Sequence, residues 1–304
     1  MQTCRGSTIM RGIAALACAL GTTAHATGAT PLAPAAALSV AATGHYVTPV
    51  LVNGSGPHSF VVDTGAESCA VYPHFAERQG LERTGEDTLV GQTGAAAIEL
   101  ARVDSLVTAG VSAGPLSCAV LPPRQDGALL DGIVGLDSMR QHAVLFDPAA
   151  ASLAFYPPGV APADCLGPDY VAVKARQIDG GLLAFDVAIN GAPGIAVLDS
   201  GARRTVINTG FARTAGVDLA SLALDAPLHG AAGLRQALRK GRLGSIEIAG
   251  RTYADFHGSV ADLAVFDAFG VAQQPAMILG LDFLASGAML VDFPAQMVFI
   301  RRPE

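Results

Sequence analysis

The chain has 304 residues, of which 51% are apolar, so it can form one large domain or two modest ones. Its formal net charge is −7, and its only lysines are Lys174 and Lys240. This balance argues against a nucleic-acid-binding protein, because such proteins usually present a basic face to the phosphates. Abundant Gly (35) and Pro (18) favour short strands joined by tight turns.

The N-terminus predicts an export signal. Two arginines precede a short apolar run at residues 13–20, and small residues follow it up to Ala26. The run is too short to cross a bilayer. We therefore expect residues 1–26 to be a signal peptide that is cleaved near Ala26, which makes the protein periplasmic or secreted. A lipid anchor at Cys18 is the alternative.

Three cysteines remain after this cleavage: Cys69, Cys118 and Cys165. An exported protein meets an oxidising compartment, so one disulfide and one free thiol are expected, but the spacing does not select the pair. There is no Cys-x-x-Cys, and the histidines are scattered without the spacing of metal ligands. We predict neither a metal site nor a cofactor.

The first part of the chain predicts a β-hairpin that ends on an acid. Residues 27–37 are rich in Ala, Thr and Pro and are expected to form a flexible lead-in. A β-rich run at 46–52 is followed by Asn-Gly at 53–54, a strong hairpin signal. The partner strand at 59–62 then places Asp63 at its end.

Shorter elements follow in the same half. We predict a strand at 69–72, a short helix at 75–80, and a hairpin with its tip at the Gly-Gln-Thr-Gly of residues 91–94. The Gly-Ile-Val-Gly-Leu-Asp of residues 132–137 comes next, and a last strand is predicted at 152–156.

The same order of elements then repeats, after a proline-rich linker at 157–170. Phe-Val-Val-Asp-Thr-Gly-Ala at 60–66 returns as Ala-Val-Leu-Asp-Ser-Gly-Ala at 196–202. The period is too long for a solenoid repeat. It predicts two similar β lobes, at 38–156 and 171–304.

Other segments repeat with the same period. Gly230 to Gly233 corresponds to the glycine-rich tip in the first half, and residues 277–282 correspond to 132–137. A short helix is predicted at 211–216.

The duplicated Asp-(Thr/Ser)-Gly-Ala motifs, each followed some 70–80 residues later by apolar-apolar-Gly-Leu-Asp, resemble aspartic proteases. Each half is similar to a bacterial retropepsin-like domain, and the two lie in one chain as in the bilobed pepsins. The resemblance covers residues 38–302. It implies an all-β fold with a few short helices, in which two barrel-like lobes related by a pseudo-twofold axis enclose an active cleft.

The resemblance also implies a function: an exported aspartic endopeptidase that acts as a monomer on a peptide or protein. Asp63 and Asp199 would be the catalytic dyad, two carboxyls that share one proton and activate a water. The supporting loop residues would be Thr64, Gly65, Ser200 and Gly201, and the flap residues that bind substrate would be Gly91, Thr93, Gly94, Gly230 and Gly233. A non-catalytic peptide-binding scaffold with the same cleft is the alternative, and each lobe could instead pair with a second chain.

Two departures from the pepsin pattern matter. Ser200 replaces the usual Thr but keeps its hydroxyl. Ala66 stands where pepsins carry a hydroxyl that could lower the pKa of the neighbouring carboxyl. We therefore predict a working range less acidic than that of pepsin, and a pH–rate maximum near pH ~2 would contradict this.

Other charged residues have simpler interpretations. Asp137 and Asp282 also recur, and we expect them to be helix N-caps or structural acids. Arg203 and Arg204 have no counterpart in the first half. We expect a solvated pair, with an influence on substrate preference as the alternative.

Overall fold

The structure is a computed structural model that describes residues 29–124 and 127–303. The predicted signal peptide, residues 1–26, lies outside the described residues. In the part that is described, no helix has the length and apolar character needed to span a membrane.

Strands dominate the first half of the chain. They are β1 (Ala36–Ala37), β2 (Ser39–Val40), β3 (Tyr46–Val52), β4 (Ser55–Val62), β5 (Ala70–Val71), β6 (Arg83–Gly91), β7 (Gly94–Val103), β8 (Leu106–Thr108), β9 (Val111–Ala113), β10 (Leu116–Val120), β11 (Gly132–Val134), β12 (Ala143–Asp147) and β13 (Ser152–Tyr156).

The second half repeats this pattern. Its strands are β14 (Tyr170–Lys174), β15 (Arg176–Gln177), β16 (Leu183–Ile189), β17 (Ala192–Leu198), β18 (Val206–Ile207), β19 (Ala223–Leu224), β20 (Leu228–His229), β21 (Arg235–Gln236), β22 (Arg239–Ile248), β23 (Arg251–Val260), β24 (Ala276–Leu279), β25 (Met289–Asp292) and β26 (Met297–Arg301).

The helices are short. They are α1 (Pro73–Arg78), α2 (Leu136–Met139), α3 (Thr209–Thr214), α4 (Val265–Ala268) and α5 (Leu281–Leu284), with 3-10 turns at Pro162–Asp164 and Asp179–Gly181. The helices predicted at 75–80 and 211–216 are α1 and α3, and each begins two residues earlier than predicted. Proline suits the first turn of α1, and the Asn208 side chain caps α3 by accepting from the Phe211 amide at 2.7 Å.

The hairpin predicted at residues 53–54 forms as expected, and the second half contains its repeat. Asn53 and Gly54 join β3 to β4 with φ of +50° and +77°, and Asn190 and Gly191 join β16 to β17 with φ of +50° and +81°. Both turns need two successive left-handed residues, which Asn and Gly adopt at low cost.

Each half folds into its own sheet. The order in the first lobe is β6-β7-β10-β5-β11-β4-β3-β8-β9, with β2 added at β3. The order in the second is β15-β16-β17-β24-β18-β23-β22-β19, and pairing of β16 with β22 closes it on itself. The predicted mostly-β fold with two lobes is confirmed.

A third sheet joins the lobes. Its order is β1-β13-β12-β25-β26-β14, so three strands come from each half, and β12 and β25 pair antiparallel at its centre. One hydrophobic core runs across the junction, where Val62 and Phe146 of the first half join buried residues of the second. The lobes are therefore held by a continuous sheet and core as well as by the chain between them.

The lead-in predicted at 27–37 is not a free segment where it is described. Ala36 and Ala37 form β1, an edge strand of the shared sheet that pairs with β13. The Leu32 amide also donates to the Phe155 carbonyl at 2.8 Å. Ala, Thr and Pro suggest flexibility by composition, but an open sheet edge supplies hydrogen-bond partners that composition does not reveal.

The disulfide left open by the sequence joins Cys69 to Cys118, and Cys165 is a free thiol. Both bonded cysteines are fully buried in the first lobe. The bond ties the start of β5, close behind the Asp63 loop, to β10.

Candidate active site

Asp63 follows β4 and is held by the neighbouring parallel strand β11. The Asp63 amide donates to the Val134 carbonyl at 3.0 Å, and the Leu136 amide donates to the Ala66 carbonyl at 2.8 Å. The loop of residues 63–66 is therefore bonded at both of its ends to the chain segment that passes behind it.

Asp199 is positioned in the same way by β24. Its amide donates to the Leu279 carbonyl at 3.2 Å, and the Leu281 amide donates to the Ala202 carbonyl at 2.8 Å. The repeated apolar-apolar-Gly-Leu-Asp segments thus form the support behind each Asp loop. Gly280 leaves space for this crossing, because a Cβ there would lie 2.7 Å from the Arg204 carbonyl oxygen.

Asp137 and Asp282 are structural acids that brace the ends of these loops. Asp137 accepts from the Cys69 amide at 2.7 Å, and Asp282 accepts from the Thr205 amide at 2.8 Å and its hydroxyl at 2.6 Å. The N-cap interpretation is wrong, since Gly135 and Gly280 occupy the cap positions of α2 and α5.

Thr64 and Ser200 lock the two Asp loops together through reciprocal hydrogen bonds. The Thr64 hydroxyl donates to the Leu198 carbonyl at 3.1 Å and accepts from the Ser200 amide at 2.9 Å. The Ser200 hydroxyl donates to the Val62 carbonyl at 2.8 Å and accepts from the Thr64 amide at 3.0 Å. Both side chains are buried, so each hydroxyl meets the buried backbone of the opposite lobe.

This lock brings the carboxyls of Asp63 and Asp199 into hydrogen-bond contact with each other. The Gly65 amide donates to Asp63 Oδ1 and the Ala202 amide to Asp199 Oδ1, each at 2.8 Å. A Cβ on Gly65 would lie 2.5 Å from Asp199 Cγ, so this glycine allows the opposite carboxyl to approach. Gly201 plays the same part toward Asp63.

The two acids have different environments. Burial raises the pKa of Asp63 well above its ordinary value, and the nearby charge of Asp199 raises it further. Burial also raises the pKa of Asp199, but hydrogen bonds from Gln92 and Ala202 oppose that rise. The Gln92 amide is a donor that contacts Asp199 and not Asp63, which favours the charge on Asp199 when the pair holds one proton. Asp199 is only 5% exposed, whereas Asp63 is partly open to the cleft.

The predicted flap residues meet above the two acids. The Thr93 hydroxyl, between β6 and β7, donates to the Leu234 carbonyl, between β20 and β21, at 3.0 Å. Gly91 packs against residues 231–232 of the other tip, and Gly94 packs against the Leu234 side chain.

The second tip is a tight turn. The Gly233 amide donates to the Gly230 carbonyl at 3.0 Å, and Gly233 has a φ of +78°. Gly230 lies directly against Thr93 of the first tip. All five flap residues that were predicted are thus in or beside the contact between the two tips.

Gln92 is a site residue that the sequence analysis did not select. It lies at the first flap tip, and its side-chain amide donates to Asp199 Oδ2 at 3.0 Å. The sequence signal that could have identified Gln92 was its position between two predicted flap residues, Gly91 and Thr93. The direction of its side chain, toward an acid 107 residues away in sequence, depends on how the lobes close.

A cavity of about 770 Å³ lies between the flaps and the Asp loops. Apolar side chains such as Val61, Ile98 and Leu182 line it together with Asp63, Asp199 and Gln92. Apolar walls with a few convergent polar groups are typical of ligand sites. Within residues 29–124 and 127–303, no three His, Cys, Asp or Glu side chains converge as a metal site.

The family match agrees with this geometry. The sequence model of the aspartyl protease family matches residues 48–138 and 185–283, one segment in each half and together more than half of the chain. No curated protein matches the chain. Each matched segment contains one Asp motif and one apolar-apolar-Gly-Leu-Asp segment. The chain therefore belongs to the aspartyl protease family, with one retropepsin-like repeat in each half.

Proposed function

We propose that the protein is an exported aspartic endopeptidase that hydrolyses peptide bonds with the Asp63–Asp199 dyad. One observation carries this proposal: two carboxyls, one from each lobe, are in hydrogen-bond contact at the floor of a peptide-sized cavity. Like charges so close cannot both ionise readily, and a shared proton is what this chemistry requires.

The different environments of the two acids assign their roles. Charged Asp199 accepts a proton from a water as the water oxygen attacks the scissile carbonyl carbon. Protonated Asp63 donates to the carbonyl oxygen, so a neutral tetrahedral diol forms. Asp199 then passes its proton to the amine nitrogen as the C–N bond breaks, and Asp63 takes a proton from one hydroxyl of the diol. A carboxylic acid and an amine leave, and the dyad again holds one proton.

The flaps are part of this mechanism. Gln92 occupies one hydrogen-bonding position of Asp199 on the side that faces the cleft. We expect the flap tips to separate when a peptide enters and then to close over its extended backbone with main-chain hydrogen bonds.

A single chain supplies both acids and the sheet that joins the lobes, which supports a monomeric enzyme. The disulfide between Cys69 and Cys118 supports export, because such bonds persist in oxidising compartments.

The test is hydrolysis of a diverse peptide pool by the mature protein across a range of pH. Asp63→Asn and Asp199→Asn should each abolish cleavage while the far-UV circular dichroism stays native. Glu247→Gln, on an exposed position of β22 outside the cavity, is the matched control and should cleave normally.

Activity retained by either Asn variant would overturn the dyad. Binding of peptides by the native protein without any cleavage would support the peptide-binding scaffold instead.

A further inference from the structure

The two lobes differ in charge at one pair of equivalent positions. Glu67 lies four residues after Asp63, and Arg203 lies four residues after Asp199. The pseudo-twofold relation between the Asp loops makes these positions equivalent. Both side chains are exposed and both line the cavity.

Each of these side chains contacts the opposite lobe at equivalent points. Arg203 donates to the Thr43 carbonyl at 3.0 Å, and its Cδ would lie 3.3 Å from a Cβ on Gly44. Glu67 packs in the same way on Gly180, where a Cβ would lie 3.1 Å from its Cγ and Cδ.

The two contact points confirm the symmetry. Gly44 precedes Asp63 by 19 residues and Gly180 precedes Asp199 by 19 residues. Both glycines are left-handed, with φ of +83° and +75°. A twofold axis between the acids exchanges these contacts, so Glu67 and Arg203 lie on opposite sides of the dyad.

Neither charge is neutralised by a partner side chain in the part of the chain that the structure describes. Arg203 bonds only a backbone carbonyl, and Glu67 forms no ion pair there. Asp179 is also exposed and lines the cavity beside Gly180, and so adds a second negative charge on the Glu67 side. Its counterpart in the first lobe is the neutral Thr43. Glu67 and Asp179 therefore place two negative charges on one side of the dyad, and Arg203 places a positive charge on the other.

Resting on the proposed function, we propose that the enzyme selects peptides with basic side chains on one side of the scissile bond and acidic side chains on the other. An extended peptide that crosses the dyad reaches both sides of the cleft. In one order of its charged side chains, the peptide places each of them beside a cleft residue of opposite charge. The reversed order places each beside a cleft residue of like charge. Neither Glu67 nor Arg203 is then merely a solvated surface charge.

The size of the preference follows from the exposure of these groups. Exposed ion pairs contribute modestly, so two matched pairs compared with two mismatched ones should change kcat/KM by about tenfold. The preference should decrease at high ionic strength, because salt screens exposed charges.

The experiment uses two fluorogenic peptides with the same composition and the same apolar residues at the scissile bond. One carries Lys before the bond and Glu after it, and the other carries the reverse order. The native protein should cleave one of them about tenfold faster. The charge-swapped variant Glu67→Arg/Arg203→Glu, made together with Asp179→Asn so that Asp179 does not cancel the new positive charge, should invert the order.

The ratio of two rates within one variant cancels any general loss of activity. The swap Arg242→Glu/Asp255→Arg, an exposed ion pair outside this cavity, is the control and should keep the native order. Equal rates with both peptides, or a native order in the Glu67/Arg203 swap, would overturn the proposal.

Binding of the same peptides to the Asp63→Asn variant, measured by fluorescence anisotropy, tests the charge order without hydrolysis. Absence of hydrolysis by the native protein would refute the proposed function. Equal affinities of the two peptides would refute the polarity of the cleft.

Discussion

Thr64→Val tests whether the hydroxyl lock holds the lobes together. Valine has nearly the shape of threonine, so the substitution removes the hydroxyl and leaves the volume almost unchanged. It removes the bond to the Leu198 carbonyl, 3.1 Å, and the acceptor for the Ser200 amide, 2.9 Å.

The expected loss in the free energy of unfolding follows from the burial of Thr64 and Ser200. Thr64 is 1% exposed and Ser200 is 0% exposed, so water cannot replace the lost partners without opening the junction. Each buried polar group left unpaired costs about 1–3 kcal/mol, so two such groups predict a loss of about 2–6 kcal/mol in the free energy of unfolding. Thr64→Ser keeps the hydroxyl and loses one methyl, for which about 1 kcal/mol is expected.

The assay is urea unfolding followed by far-UV circular dichroism, since the chain contains no tryptophan. A near-UV signal from the tyrosines should give the same transition, which checks that the lobes unfold together. The expected order of stability is native, then Thr64→Ser, then Thr64→Val. If Thr64→Val equals or exceeds Thr64→Ser in stability, apolar packing rather than the hydroxyl holds this junction, and the reasoning fails.

Three further predictions concern the site and its support. Gln92→Leu removes a hydrogen bond that stabilises charged Asp199, so the pKa of Asp199 should rise. The acidic limb of the pH–kcat/KM profile should then move to higher pH. An unmoved limb would show that the flap contact is absent during turnover. The pKa of Asp63 is raised by folding, so the folded state binds the extra proton, and native stability should fall as pH rises from about 4 toward the folded pKa. Asp63→Asn should show a smaller fall in urea titrations at successive pH values, because Asp199 keeps its own raised pKa, and parallel profiles for the two proteins would contradict the shift. Cys118→Ala removes a disulfide that spans 49 residues and should lower the free energy of unfolding by about 2–4 kcal/mol. The control Cys165→Ala, at the free thiol, should change the free energy of unfolding little. Equal effects of the two substitutions would count against a stabilising role of the bond.

Local sequence patterns determined the parts of the fold that depend on neighbouring residues. Asn-Gly pairs specify tight hairpin turns because both residues tolerate left-handed backbone, and such pairs end β3 and β16. Alternation adds to this signal: Val50 and Val52 of β3 are buried, while Leu51 between them faces outward. Repetition of these patterns around Asp63 and Asp199 was sufficient to predict two lobes.

Other features required the tertiary structure, because their partners are far apart in the chain. Gln92 and Asp199 are 107 residues apart, and no local pattern directs one toward the other. The pairing of β1 with β13 depends on an open edge of a sheet that both halves build. Sequence spacing likewise left the disulfide undecided among three cysteines.

The Asp motifs show where the two levels meet. Sequence alone placed Asp63 and Asp199 at the ends of apolar strands and supplied Thr64 and Ser200 with hydroxyls. Only closure of the lobes decided that these hydroxyls would bind the opposite backbone and that the two carboxyls would share a hydrogen bond. The local sequence specifies the carboxyls and hydroxyls of the two motifs. The electrostatic coupling between the carboxyls depends on their distance in space, which long-range packing determines.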